Sequence, residues 1–451
     1  MTSTGSGPPP RFPPGSRAAL GGGRGVFARP ARTGVARLAP VVLLLAPGLV
    51  VAALRQAACA TRGWEGGVPV WRQCGSPLLS SLVDQRAGLG LPGWLTGEVP
   101  LVWAPLPAAV TTALATVVSG DGTGQQRGVM VLWLVLSAVV LAGLVVLVGT
   151  VHGHPWADPV ALALSPVLAL TVLLSADLAA VACGVGAVWS WSRRRPELAG
   201  ALVGLTLLGG RPGVAVLLAL AVSPPARVRR AVPRMLVAAG VTVLLVLGPL
   251  VAADVGVLTR PLRAWWGGGA QAGSPWFVPV LAGSPLSAGQ VAGLAALGML
   301  LALGLVLVAA SRRPRPATAD LALLGVVVLL LTGPTAPVTA ALWLVPLVAL
   351  AGVGWRDHLL WAGAEVVHAV AWYAWLAATD DPGRGLPAGW YAAALVLRLL
   401  AVGRLGWVVW ARASWGPAVI AGTLERLPTG PGDGPGPPVG ADAYPPVTER
   451  P

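Results

Sequence analysis

The chain has 451 residues, 55% of them hydrophobic and 11% charged, with a formal net charge of +14. That much apolar surface exceeds what a soluble core can bury, and apolar runs of about 20 residues recur along the chain, so the fold class is an all-α polytopic transmembrane helical bundle. All 31 basic residues are arginine; they fall in short turns between apolar runs, which marks membrane topology and excludes a nucleic-acid-binding role.

Residues 1–37 are rich in Gly, Pro and Arg and form a basic leader that cannot bury a core. The first apolar run, Leu38–Leu54, lacks a small-residue cleavage site and reads as an uncleaved span. The leader places the N-terminus in the cytoplasm, so residues 55–100 form a first external loop. Spans are expected at Val99–Val118 and Val129–Val151, leaving the His152–Asp158 turn outside. Pro159–Leu174 reads as a re-entrant or outer-surface segment, because a crossing there would put Arg193–Arg195 outside. Ala176–Trp191 then crosses inward, and the short runs Leu198–Leu208 and Pro212–Val222 meet outside at Gly209–Pro212. Met235–Ala253 leads to a second external loop, residues 254–287, whose Trp265, Trp266 and Trp276 suit the membrane–water interface. Runs at Val291–Ala310, Leu321–Leu331, Ala340–Val353, up to Ala378 and Tyr391–Trp410 complete about 12 spans plus the re-entrant segment. The transmembrane domain is expected over 38–411 and a disordered Pro/Gly-rich tail over 412–451, with both termini cytoplasmic.

Cys59 and Cys74 share the first external loop, where a disulfide can persist; two unpaired small residues are the alternative. Polar residues close to membrane depth are functional candidates. Asp177 is either a helix N-terminal carboxylate favoured by the dipole or a ligand-binding group facing outward. Glu98 is either an interfacial cap or part of a site at the mouth of its span. Arg211, between two half-length helices, either snorkels to water or holds a lipid-linked phosphate. Glu365 and His368 have helical i,i+3 spacing and read as a helix–helix polar contact ahead of a metal pair. There is no Walker lysine motif, no dinucleotide fingerprint and no serine elbow, so no nucleotide cofactor is indicated, and no ligand cluster calls for a metal.

The layout resembles the GT-C type of polytopic glycosyltransferase, in particular actinobacterial members of glycosyltransferase family 87. The matching stretches are Ser175-Ala-Asp177, Trp191-Ser-Arg-Arg-Arg-Pro196, Ala199-Gly200 with Gly204, Leu342-Trp-Leu-Val-Pro-Leu347 and Trp355-Arg-Asp-His-Leu-Leu-Trp361 with Ala364-Glu365. The chain differs from the family's patterns at Cys74-Gly-Ser-Pro77, Glu98-Val-Pro100, Gly210-Arg-Pro212 and Gly333-Pro-Thr-Ala-Pro337, each with fewer polar residues than the family carries. The resemblance implies transfer of a sugar, mannose in the relatives, from a polyprenyl-phosphate donor to a cell-envelope glycolipid or glycan on the outer face of the plasma membrane.

Such a transfer needs a base for the acceptor hydroxyl and positive charge for the departing phosphate. Asp84 or Glu98 is assigned the base or acceptor-orienting role, Asp177 supports the sugar, and Arg211 with Arg260 or Arg263 holds the phosphate. The alternative is a catalytically inactive homologue that binds a lipid-linked sugar or serves as a partner membrane protein.

Overall fold

A computed structural model describes residues 38–151, 158–223, 229–313, 315–381 and 383–425, with side chains as far as 414. Among the described residues every regular element is a helix. Six are long and apolar enough to cross a membrane: α1 (Ala39–Arg62), α3 (Gly122–Thr150), α8 (Val232–Ala253), α10 (Ala288–Ser311), α13 (Trp355–Asp380) and α14, apolar over Ala388–Ser414. Between them lie the shorter helices α2 (Pro105–Val117), α4 (Pro159–Thr171), α5 (Asp177–Ser192), α6 (Pro196–Leu207), α7 (Pro212–Val222), α9 (Gly256–Gly267), α11 (Thr318–Thr332) and α12 (Ala341–Leu350). The backbone of α14 runs on to Glu425.

The short helices owe their starts to proline. Pro105, Pro159, Pro196 and Pro212 each occupy the first turn, where the missing N–H costs nothing and the fixed φ suits a helix. Asp158 adds a side-chain cap to α4, accepting from the N–H groups of Val160 and Ala161 at 2.9 and 3.1 Å.

One end of the bundle carries the Cys59–Cys74 disulfide (S–S 2.06 Å) and the other carries Arg193–Arg195. Helices α1 and α3 run antiparallel between them. Arg127, early in α3, donates to the carbonyls of Ala60 and Thr61 at the end of α1. At the other end a Cβ on Gly149 would stand 2.8 Å from Leu38, and Arg193 donates to the Thr150 carbonyl at 3.3 Å.

Two segments lie differently from the sequence expectation. Helix α2 starts beside Leu208, whose carbonyl accepts from the Leu106 N–H at 2.9 Å. It finishes beside Gln125, whose amide donates to the carbonyls of Gly88, Ala115 and Val118 at 3.0–3.2 Å. Both ends of α2 thus lie at the disulfide end, and the Val99–Val118 run does not traverse the bundle. Helix α4 does traverse it. The Asp158 N–H donates to the Ala349 carbonyl at 2.9 Å at the arginine end, and the Leu174 carbonyl accepts from the Leu78 N–H at 3.1 Å at the disulfide end. The sequence expectation follows arginine placement, which does not register the backbone hydrogen bonds that anchor the ends of each run. Residues 152–157, and with them His152 and His154, lie outside the described residues.

Helices α11 and α12 fill the centre and are buried along nearly their whole length. Their connecting turn, Gly333–Pro337, is recessed. Thr332 packs on Gly298, ten residues into α10, about 15 Å below its start at 1.5 Å per residue. The second loop dips down to meet this turn. The Gln271 N–H donates to the Pro334 carbonyl at 2.8 Å, Ser274 Oγ to Gly333 at 2.9 Å and Trp276 Nε1 to Thr332 at 2.9 Å.

Candidate functional site

Above the recessed turn, at the disulfide end, is a cavity of about 880 Å³. Its wall is mostly apolar, with helix α9 contributing Val257, Leu258, Leu262, Trp265 and Trp266. Five chain segments reach it that are far apart in sequence: Pro77, Val102, Ser175 with Asp177, Gly210 with Arg211, and Pro334 to Pro337. These are the five places compared with the glycosyltransferase patterns, at or within two residues of each.

Arg211 is the cation in the wall. It sits at the start of α7, where the helix dipole disfavours positive charge, so helix stability does not explain it. Its guanidinium donates to the Thr335 carbonyl at 3.0 Å and lies 5.3 Å from the centroid of the Trp265 ring. Among the described residues no carboxylate forms an ion pair with it. With a carbonyl and a ring face for partners and no counter-charge among the described residues, this half-buried guanidinium is a ready partner for an anion.

Asp177 is the carboxylate in the wall. It opens α5, and its N–H donates to Ser175 Oγ at 3.0 Å. The helix dipole favours a carboxylate there, and the same residue lines the cavity.

The other expected site residues lie elsewhere. Asp84 is exposed at the end of the short helix Pro77–Asp84. Glu98 is exposed and accepts from Thr96 Oγ1 at 3.2 Å. Arg260 pairs with Asp254 at 2.6 Å. Partial burial works against ionisation of Asp254, but the Arg260 hydrogen bond, the Gly256 N–H and the Arg260 charge outweigh it and hold the carboxyl below the usual range. Arg263 is exposed on α9, whose apolar residues cover the cavity. None of these four lines the cavity. Cys59 and Cys74 are bonded, and the bridge sets the path of Gly75–Pro77 into the wall.

Glu365 meets a partner that was not anticipated. Arg398, in α14, donates from Nε to Glu365 at 2.8 Å, and both side chains are buried, at 2% and 0% exposed. Trp361 Nε1 donates to the other carboxylate oxygen at 3.1 Å. The rest of the Arg398 fork reaches the carbonyls of Gly273, Ala336 and Pro337. A charge ten residues into an apolar helix was the available signal. Among the described residues no three His, Cys, Asp or Glu side chains gather closely enough to hold a metal ion.

Compared with known proteins, the chain matches no family model, no curated protein and no solved structure.

Proposed function

We propose that the chain is an integral membrane glycosyltransferase whose site is the cavity of Asp177 and Arg211. In this reading the disulfide end faces outward and both termini are cytoplasmic. Helices α1, α3 to α8 and α10 to α14 make twelve crossings, with α4 taking the place first given to Val99–Val118. The donor is a polyprenyl-phosphate sugar, with mannose the first candidate, and the acceptor is a cell-envelope glycolipid or glycan.

The observation that carries this reading is the convergence of the five segments on one apolar cavity with an unpaired guanidinium. An apolar wall suits an isoprenoid chain, and Arg211 suits the single phosphate at its head. Asp177, as the cavity's carboxylate, takes the base role in place of Asp84 or Glu98. The acceptor oxygen bonds to the anomeric carbon while the bond from that carbon to the phosphate oxygen breaks. The acceptor proton passes to Asp177, and the phosphate leaves on the lipid beside Arg211.

The position of Asp84 and Glu98 outside the cavity favours a second reading, a protein that binds the lipid-linked sugar without turning it over. Purified protein in nanodiscs with radiolabelled polyprenyl-phosphomannose separates the two. The enzyme reading expects transfer that Asp177→Asn lowers about 100-fold or more with binding retained, and that Arg211→Ala lowers through both binding and turnover. Binding without transfer selects the second reading. Neither binding nor transfer defeats both.

A further inference from the structure

The recessed turn is held from two sides by arginines that never meet. Arg211, inside the cavity, donates to the carbonyl of Thr335. Arg398, outside it, donates to the next two carbonyls, Ala336 and Pro337, and to Gly273 of the dipping loop. Glu365 neutralises Arg398 and fixes its fork. The dipping loop is pressed close to the turn here. Gly273 has φ +77°, and a Cβ on it would lie 1.9 Å from the Ala336 carbonyl oxygen and 2.7 Å from Arg398. Gln271, Pro334, Thr335 and Pro337 are themselves cavity wall.

From this geometry we infer that Glu365 and Arg398 are positioning residues for the cavity floor and, through the Thr335 carbonyl, for the guanidinium of Arg211. The inference rests on the reading of Arg211 as the anion-binding group. The Gly273 and Ala336 carbonyls lie in turns outside the helical ladders, where Arg398 donates to them, and the Pro337 carbonyl accepts from the Ala340 N–H as well as from Arg398. The guanidinium fork supplies several rigidly spaced donors at once, which a single ammonium does not. Holding the 336 and 337 carbonyls restrains the residue before them, and with it the Thr335 carbonyl to which Arg211 donates.

A role in stability alone makes a different forecast. Replacing both members of a buried ion pair by apolar residues often leaves a protein folded, so Glu365→Leu/Arg398→Met serves as the test chain. Arg398→Lys, which keeps a charge opposite Glu365 and loses the fork, is the second. The full-length protein in nanodiscs is studied by amide hydrogen exchange and by binding of farnesyl phosphate, with farnesol as the control. Expected in both variants, when folded and monodisperse, is exchange at Gln271 and Ala336 about 10-fold faster or more, with the α11 and α12 interiors unchanged. Phosphate-dependent binding is expected to weaken about 10-fold, and the pair substitution to add nothing in an Arg211→Ala background.

Unchanged exchange in a folded variant overturns the inference whatever the ligand does. Faster exchange with undiminished phosphate-dependent binding, or a loss that adds to that of Arg211→Ala, overturns the link to Arg211. If the unmodified protein prefers farnesyl phosphate no more than farnesol while exchange rises as expected, the anion reading of Arg211 fails and the clamp on the floor stands.

Discussion

Gly200→Val should lower the stability of the protein by about 3 kcal/mol or more, read as a fall in the melting temperature in detergent. Gly200 and Gly204 lie on the face of α6 that meets α8. A Cβ on Gly200 would stand 2.2 Å from the Met235 carbonyl oxygen and 2.7 Å from the Ala238 Cβ; one on Gly204 would stand 2.8 Å from the Ala239 carbonyl oxygen. The obstruction is backbone, so no rotamer change relieves it and the helices must part. This is the small-xxx-small contact by which membrane helices pack without help from the hydrophobic effect. The damage should reach the cavity, because α8 also supplies Val243 and Leu247 to its wall. Gly293→Ala in α10 is the matched control. No atom lies within 4 Å of its Cβ position, and its cost should stay within about 0.5 kcal/mol. Equal losses at the two sites would show that the α6–α8 approach is not what Gly200 is for.

Arg398→Met should cost about 3–5 kcal/mol, because it leaves the fully buried Glu365 carboxylate without its cation. The carbonyls of Gly273 and Ala336 lose the Arg398 donor in the same step, while Pro337 keeps the Ala340 N–H. Adding Glu365→Leu should return most of the loss, since the charge penalty goes and only the carbonyl penalty remains. Chemical or thermal melts of the two single variants and the double variant give the coupling directly. Simple addition of the two single costs would mean that the pair is not an interacting unit.

Much of the architecture was legible in the sequence because apolar length and arginine placement are strong signals in membrane chains. The helical class and the long apolar spans follow from them. Which of two short apolar runs traverses the bundle did not. Arginine placement favours Val99–Val118 over Pro159–Leu174 as the crossing, but the decision is made by hydrogen bonds from Leu106 to Leu208 and from Asp158 to Ala349. Site membership was equally hidden for carboxylates. Asp84 and Glu98 share the loop of residues 55–100 with a cavity-lining segment, but a loop can turn any of its side chains to water, and both are exposed. Asp177 and Arg211 start helices, so their direction is fixed by the helices behind them. The abundance of arginine also gained a physical meaning. Arg55, Arg127, Arg211, Arg398 and Arg412 each donate to main-chain carbonyls where the helical hydrogen-bond ladder stops.

The most direct measurement is a cryo-electron microscopy map of the protein in nanodiscs with a non-hydrolysable polyprenyl-phosphomannose analogue. The account expects the phosphate within charge-assisted hydrogen-bond distance of Arg211, about 2.7–2.9 Å from nitrogen to oxygen, the sugar beside Asp177, and the lipid chain along α8 and α9. Density for the analogue at a different place on the protein, with the Arg211 cavity empty, would contradict it.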